Sequence, residues 1–303
     1  MKLLREGYPV KRVCIIGGTG KVGQTLVSFL RTANELSIVF YAESYEQECK
    51  LRASFQDNLV DFEICRSPQA IQKADTIVLI AGKRTSRGSG KSDLYQLNKE
   101  VIDPYLDFLN HKNVILVTNP TTLLGTYLGQ RLDAFIVGVG VQNDFNRLKF
   151  QCPHVDFVMG AHNLNEQCYF NNSQQLLFDG FKSTKVYSEA RSQQDDYVSS
   201  GDFEKLHSTF LENDIHKWWK IQRYHTVVNS SSYSCALAIM QTLSNLNENI
   251  HSVIHAEVCV VTPSGSTYFI GVPLLGKNLR CTDTCLMQFI DMHLDQLSNY
   301  KVA

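Results

Sequence analysis

The stretch Val13-Cys14-Ile15-Ile16-Gly17-Gly18-Thr19-Gly20-Lys21-Val22-Gly23 decides the fold of this 303-residue chain. A short apolar run, typical of a buried strand, leads directly into a glycine-rich turn, and apolar positions at helical spacing follow over residues 22–30. Gly17, Gly20 and Gly23 are three residues apart, which permits a tight turn and a close approach of the backbone to a pyrophosphate. The following helix would offer free N–H groups and the positive end of its dipole to the phosphates. We therefore predict a dinucleotide-binding unit in which residues 17–23 contact the cofactor.

Strand-like and helix-like segments alternate over the rest of the first half. Continuous β-branched runs indicate strands buried on both faces, and strands that alternate with helices indicate a parallel sheet. Further strands are predicted at residues 36–40, 62–64, 76–80, 114–118 and 134–137, with a helical segment over 93–109. We expect a doubly wound Rossmann domain over residues 1–142.

The second half has a different pattern and is predicted to be an α+β substrate domain over residues 143–303. Strand-like runs occur at 155–159 and 185–187, a long helical segment spans about 215–246, and a terminal helix covers 281–297. Two apolar runs, at 252–261 and 267–272, flank the turn Pro263-Ser264-Gly265-Ser266 and read as a hairpin or meander.

Composition favours a reduced, cytoplasmic protein. The formal net charge of −1 gives no global field for binding nucleic acid. The cysteine count of nine is odd, and no secretory segment or membrane-spanning run is present. Cys281 and Cys285 are four residues apart without a second Cys or His pair at zinc spacing, so we expect no metal. The charge and the lack of a membrane-spanning run lead us to expect no nucleic-acid partner and no membrane.

The second predicted strand lacks the acidic residue expected at its end for the ribose hydroxyls. Phe40 occupies that position, and Glu43 follows three residues later. Either Glu43 reaches the ribose from a shifted loop, or that contact is absent. NAD is the expected cofactor, and NADP remains an alternative.

Six motifs occur in a fixed order along most of the chain. They are residues 74–82 with Ala81 and Gly82 at the end, Gly88-Ser89-Gly90-Lys91-Ser92-Asp93-Leu94 with Asn98, Val117-Thr118-Asn119-Pro120, Gly138-Val139-Gly140 with Asp144 and Arg147, Gly160-Ala161-His162, and Val272-Pro273-Leu274-Leu275-Gly276. In this order they resemble the lactate/malate dehydrogenase family of L-2-hydroxyacid dehydrogenases. The resemblance implies a Rossmann domain followed by an α+β domain, a small 2-oxo or 2-hydroxy acid as substrate, and a homo-dimer or homo-tetramer.

The resemblance also implies roles for individual residues. His162 would exchange the proton with the substrate oxygen, and Asp144 would fix its tautomer and stabilise the imidazolium. Arg147, one helical turn after Asp144, would bind the substrate carboxylate through its planar fork. Asn119 would orient the substrate carbonyl. Cofactor contacts are implied for Ala81, Gly82, Asn98 and Thr118.

Three positions depart from the family pattern. The arginine of the family's mobile loop, which polarises the carbonyl, aligns with Lys91, which keeps the charge but loses the planar fork. Thr85 stands where the substrate side chain is read, with Arg84 and Arg87 beside it, so the basic loop would serve an anionic substrate or be merely solvated. Asn163 replaces the glycine after the histidine. Possible pocket-lining residues on the long helix are Tyr224 and Thr226.

Two other interpretations remain open. Phe40, Lys91 and Asn163 are also what a catalytically weak or inactive family member would show, acting as a dinucleotide-binding or protein-interaction module. Tyr95 and Lys99 imitate the tyrosine–lysine pair of short-chain reductases, although they lie too early in the chain. Each motif alone has a plain structural reading, such as a glycine turn without ligand or a packed histidine.

Overall fold

The computed structural model describes residues 2–3, 9–31, 35–83, 91–162, 166–183, 204, 231–247, 252–276 and 278–302. The strands in these residues are β1 (Lys2–Leu3), β2 (Arg12–Ile16), β3 (Ser37–Tyr41), β4 (Glu63–Cys65), β5 (Thr76–Leu79), β6 (Asn113–Leu116), β7 (Phe135–Gly138), β8 (Phe157–Gly160), β9 (Gln167–Phe170), β10 (Leu176–Asp179), β11 (Val253–Val261), β12 (Thr267–Leu275) and β13 (Asn278–Leu279).

The α-helices alternate with the strands in the first half and frame the sheet in the second. They are α1 (Lys21–Leu30), α2 (Tyr45–Asp57), α3 (Gln69–Lys73), α4 (Lys91–Ile102), α5 (Leu106–Leu109), α6 (Thr121–Gly129), α7 (Gly140–Gln151), α8 (Ser231–Leu246), α9 (Asp283–Met292) and α10 (Leu294–Leu297). Short 3₁₀ turns lie at Asp103–Tyr105, Phe181–Ser183 and Ser298–Tyr300.

Six parallel strands form the predicted Rossmann sheet in the order β4-β3-β2-β5-β6-β7. The chain starts in the middle at β2, moves outward to β4, and returns to β5 on the other side of β2. This reversal makes a crevice at the carboxyl ends of β2 and β5, which is where doubly wound sheets bind ligands. Every residue of β5, β6 and β7 is buried, as the continuous apolar runs predict.

The second half extends the same sheet with antiparallel strands in the order β11-β12-β8-β9-β10. β11 and β12 form the predicted hairpin, with nine paired positions from Val253↔Leu275 to Val261↔Thr267. The two parts of the sheet meet through one pairing, Glu257↔Gly138. The domain boundary at residues 142/143 falls inside α7 (Gly140–Gln151) and remains a prediction.

Apolar side chains fill both faces of the sheet. One face buries Ile15, Phe40 and Val78 with α1 and α8, and the other buries Ile16, Ile77 and Leu116 with α3, α5 and α6. Along each central strand, neighbouring residues enter opposite cores, because side chains alternate across a strand. The packed sheet therefore holds the loops at its carboxyl edge in fixed positions.

Several elements of the second half differ from the sequence prediction. β9 and β10 were not predicted, and the terminal helix is divided into α9 and α10 at His293. The predicted strand at 185–187 and the first part of the predicted helix, 215–230, lie outside the described residues. Over the residues that are described, the longest apolar helices fall short of what a membrane crossing requires.

Candidate active site

The glycine turn between β2 and α1 has the predicted geometry. Gly17 has φ of +91°, and a Cβ there would lie 2.3 Å from the backbone nitrogen of Ala81. No other residue fits this point, because both the left-handed backbone and the contact exclude a side chain. The turn therefore packs directly on the loop that follows β5, and Ala81 donates its N–H to the carbonyl of Ile16 at 3.0 Å.

Gly20 differs from Gly17, because the protein itself leaves room for a side chain there. Its φ is −73°, and a Cβ would meet only the carbonyl oxygen of Gly17, at an ordinary 3.6 Å. Gly20 is the N-cap of α1, and Gly20 and Lys21 are exposed while Thr19 and Val22 are partly exposed. Glycine at this helix start keeps the surface open for a group approaching the first amides of α1.

The residues of β3 (Ser37–Tyr41) include no acidic side chain. The strand continues one residue further than predicted, to Tyr41, and Phe40 is fully buried with its ring beneath Gly18. Glu43 is exposed and accepts a hydrogen bond from the Tyr105 hydroxyl. Burial and the neighbouring Glu43 carboxylate raise the pKa of Tyr105, so the phenol remains a donor at neutral pH.

The loops after β5 and β6 are joined by two buried polar side chains. Asn98 donates to the carbonyls of Lys83 and Asn119 at 3.2 and 2.6 Å and accepts from the Lys83 amide at 2.5 Å. Thr118 donates to the Ala81 carbonyl at 2.7 Å. Both side chains therefore hold the crevice loops in position. A Cβ at Gly82 would meet both of them, at 2.9 and 3.2 Å.

Asn119 lies at the surface, directly before α6. The Asn119–Pro120 peptide bond is cis, and Oδ1 of Asn119 accepts a hydrogen bond from Thr121 at 3.1 Å. Its position after β6 places it at the same edge of the sheet as the glycine turn. This is the edge where the sequence predicts the nicotinamide and substrate.

His162 and Asp144 form the predicted pair. Nδ1 of His162 lies 2.9 Å from Oδ2 of Asp144, and Gln167 donates to the same oxygen at 2.8 Å. Burial opposes the ionised forms of both groups. The interaction of the pair outweighs it, holding the pKa of Asp144 below and the pKa of His162 above its usual range. The carboxylate fixes Nδ1 as the protonated nitrogen and leaves Nε2 to exchange a proton with a substrate.

Glu257 is a second buried acidic residue, and its hydrogen bonds connect the segments that carry this pair. Oε2 of Glu257 accepts from the amides of Gly140 and Val141, at 2.9 and 3.3 Å, where α7 begins. Its Oε1 accepts from the Thr122 hydroxyl at 2.5 Å, and that hydroxyl accepts from the backbone N–H of His162 at 2.9 Å. Glu257 thus connects the start of the helix that carries Asp144 to the loop that carries His162.

Arg147 lies one turn after Asp144 on α7, as predicted. Its Nε and Nη2 lie 3.3 and 3.1 Å from the hydroxyl of Ser234 on α8. The charges of Arg147 and Asp144 act on each other and on His162, so these three side chains share one site.

Lys91, the first residue of α4, lies close to Glu166. Its Nζ lies 3.9 Å from Oε2 of Glu166, which also accepts from the Tyr300 hydroxyl. The backbone carbonyl of Glu166 accepts a hydrogen bond from the N–H of Ala161, the residue before His162, at 2.9 Å. Outside the described residues lie the remaining predicted positions, which are Arg84, Thr85, Arg87, Asn163, Tyr224 and Thr226.

Sequence reasoning did not identify Thr122, Gln167 or Glu257. Glu257 did leave a signal, since it is the single acidic residue in the apolar run Val253–Val261. A buried carboxylate must be satisfied by donors, so a lone acid in a buried strand points to partners elsewhere.

Comparison of the structure with solved structures identifies the architecture. Malate dehydrogenase of Cryptosporidium parvum superposes with a TM-score of 0.63 over 96% of this chain and 97% of that chain, at 16% sequence identity. Malate dehydrogenase of Plasmodium falciparum gives 0.64 at 14% identity, over 95% and 97%. The fold is that of the lactate and malate dehydrogenases. Cryptosporidium parvum lactate dehydrogenase, solved with lactic acid and nicotinamide adenine dinucleotide, gives 0.63 at 13% identity over 96% and 98%.

A family model matches only the first part of the sequence. Residues 12–122 match the family model described as the NAD-binding domain of semialdehyde dehydrogenase. This range runs from β2 into the start of α6 and includes the glycine turn. No curated protein sequence matches the chain significantly.

Proposed function

We propose that this chain is an NAD(P)-dependent dehydrogenase that interconverts a small 2-hydroxy acid and the corresponding 2-oxo acid. The observation that carries the proposal is the 2.9 Å contact between His162 and Asp144, with Arg147 on the same helix. A proton donor, its orienting carboxylate and a guanidinium for a substrate carboxylate are the groups that this reaction needs.

The glycine turn supports binding of a dinucleotide. Gly17 packs the turn on the loop after β5, while Gly20 leaves the start of α1 open on the outside. Residues 17–23 would hold the pyrophosphate, and the loops fixed by Asn98 and Thr118 would flank the nicotinamide. When bound, the cofactor supplies or accepts the hydride.

Proton transfer falls to His162. In the reduction, protonated Nε2 of His162 would give its proton to the carbonyl oxygen, and Asp144 would stabilise the imidazolium beforehand. The raised pKa of His162 keeps this acid protonated to a higher pH than an ordinary histidine. We therefore expect reduction to be fastest on the acidic side of that pKa and to slow as pH rises through it.

The substrate carboxylate would bind to Arg147, with Ser234 orienting the guanidinium. Lys91 would contribute positive charge to the carbonyl, and its 3.9 Å contact with Glu166 supports this role. Asn119 would donate to the same carbonyl. Thr85 would meet the substrate side chain.

A dehydrogenase assay tests the proposal directly. Purified protein is given NADH or NADPH and a broad panel of 2-oxo acids, alongside His162→Asn and the control His154→Asn at an exposed position. We expect turnover with at least one acid, loss of at least about a thousandfold in His162→Asn, and full activity in His154→Asn. NADH affinity, measured by isothermal titration calorimetry, should be similar in all three.

A second candidate function is dinucleotide binding without turnover. It is favoured by Lys91, which stands where the family pattern has an arginine and whose Nζ lies 3.9 Å from Oε2 of Glu166. Micromolar NADH binding with no oxidation by any acid in the panel would support this candidate against the first. Absence of NADH and NADPH binding would contradict both.

A further inference from the structure

Cys168, Asp179 and His293 bring a thiol, a carboxylate and an imidazole together at a point that the proposed dehydrogenase does not use. They come from β9, from the end of β10 and from the break between α9 and α10. Sγ of Cys168 lies 3.6 Å from Oδ1 of Asp179 and 3.4 Å from Nε2 of His293. Nε2 of His293 lies 3.6 Å from Oδ1 of Asp179.

These spacings match the edges of a tetrahedral zinc site. With Zn–S of about 2.3 Å and Zn–N and Zn–O of about 2.1 Å, tetrahedral angles put the ligand atoms roughly 3.4–3.6 Å apart. The three distances in the protein differ from these edges by a few tenths of an ångström or less. One ion can therefore contact all three atoms with little movement of the backbone.

Burial and charge also suit such an ion. Cys168 and His293 are 0% and 1% exposed, and the Asp179 side chain is 9% exposed. A thiolate, a carboxylate and a neutral imidazole would balance the two positive charges of Zn²⁺, so the buried complex would carry no net charge. Mixed sulfur, nitrogen and oxygen ligands are a set that zinc accepts.

Neighbouring groups orient two of the three ligands. Lys182 lies 3.1 Å from Oδ2 of Asp179, the oxygen that does not face His293 and Cys168. The ring of Phe181 stacks on the His293 imidazole with centroids 4.1 Å apart. Supporting contacts of this kind fix ligand orientation in metal sites.

We propose that Cys168, Asp179 and His293 bind one zinc ion that joins the β9–β10 hairpin to the C-terminal helices. Binding would form a Zn–S bond and release the Cys168 thiol proton to the buffer. The three residues lie far apart in the sequence, so they escape the spacing rule that led us to expect no metal. This site does not depend on the proposed dehydrogenase activity.

Metal analysis of the untagged full chain tests the proposal. After expression with zinc and dialysis without chelator, we expect about one zinc per chain by mass spectrometry. Replacement with Co²⁺ should give a thiolate-to-cobalt charge-transfer band in the near ultraviolet. Cys168→Ser should lose the band, whereas Cys49→Ser, at an exposed cysteine on α2, should keep it. Asp179→Asn serves as a second variant, and circular dichroism verifies folding.

Thermal unfolding gives an independent measurement on the native sequence. Zinc bound only to the folded chain should raise Tm, and a chelator should lower it. The proposal is overturned if the dialysed protein holds no zinc and Co²⁺ produces no charge-transfer band, or if the band persists in Cys168→Ser. The cluster would then be a hydrogen-bonded group of thiol, carboxylate and imidazole.

Discussion

The Thr122 hydroxyl lies 2.5 Å from Oε1 of Glu257, and the same oxygen of Thr122 accepts the backbone N–H of His162. Glu257 also accepts hydrogen bonds from the first backbone N–H groups of α7, a position where the helix dipole favours a negative charge. Burial raises the pKa of Glu257 above its usual range, and the charge of His162 and the hydrogen bonds from Thr122 and Val141 offset this only in part. The proposed proton donor His162 is therefore linked to two acidic side chains. Asp144 contacts its ring directly, and Glu257 is connected to its backbone through Thr122.

Glu257→Gln should change the pH dependence of 2-oxo acid reduction. The carboxylate of Glu257 raises the pKa of His162, so its removal should lower that pKa. The falling limb of kcat/KM should move to lower pH, by on the order of one unit. The amide can still accept from Gly140 and donate to Thr122, so the fold should persist. A pH profile of kcat/KM provides the measurement.

Thr122→Ser and Thr122→Val serve as its controls. Serine keeps the hydroxyl and should retain the native profile, whereas valine removes the hydrogen-bond partner of the His162 N–H and of Oε1 of Glu257. Thr122→Val should cost about 1–3 kcal/mol in the free energy of unfolding. An unchanged profile in Glu257→Gln would show that this carboxylate acts only in packing.

Gly20→Ala should separate cofactor binding from folding. A Cβ at Gly20 makes only an ordinary contact, so unfolding free energy should change by less than about 1 kcal/mol. The methyl group would occupy the open side of the α1 start, and we expect NADH affinity to fall roughly tenfold or more. Calorimetric titration with NADH and chemical denaturation measure the two effects.

Gly17→Ala should show the opposite pattern and provides the comparison. Its Cβ would lie 2.3 Å from the Ala81 nitrogen, on a backbone with φ of +91°. We expect a loss of at least about 2 kcal/mol in unfolding free energy, before any ligand is added. Equal NADH affinity in native protein and Gly20→Ala would argue against pyrophosphate binding at this turn.

Lys91→Arg should increase turnover if Lys91 polarises the substrate carbonyl. A guanidinium offers a planar pair of donors where lysine offers a point charge, so kcat should rise by roughly tenfold or less. Lys99→Arg is the matched control on the same helix, since Lys99 pairs with Asp103 at 2.8 Å. Steady-state kinetics of both variants measure this, and equal rates would remove Lys91 from the catalytic role.

His255 should make the protein sensitive to acid. Burial lowers its pKa to about 3, while the Asp156 backbone partly offsets this. In the unfolded chain the imidazole of His255 binds a proton near pH 6.5, whereas in the folded chain it stays neutral. The free energy of unfolding should therefore fall as pH drops below about 6.5. The contribution of His255 is up to about 1.4 kcal/mol per pH unit in that window.

His255→Leu should remove this part of the acid sensitivity. The free energy of unfolding, measured with denaturant between about pH 7 and pH 4, should change less steeply with pH in His255→Leu than in the native protein. His154→Leu, at an exposed position, should keep the native slope. An unchanged slope in His255→Leu would mean that the imidazole is protonated in the folded protein.

The parallel strands and the glycine turn were predictable because their signals are local. A continuous apolar run must be buried on both faces, and glycine at a strand–helix junction has few other uses. β9 and β10 escaped prediction because polar residues such as Gln167 and Asp179 interrupt their apolar pattern. Those polar groups point to partners that the local sequence does not contain.

The sequence by itself determined the Rossmann half, the order of the motifs and the pairing of His162 with Asp144. Only the tertiary structure decided that Glu43 is hydrogen-bonded to Tyr105, that Glu257 supports the His162 loop through Thr122, and that Cys168, Asp179 and His293 meet. Hydrophobic periodicity is a local property of the chain. A buried polar group is satisfied by whichever distant residue the packed sheet brings within about 3 Å of it.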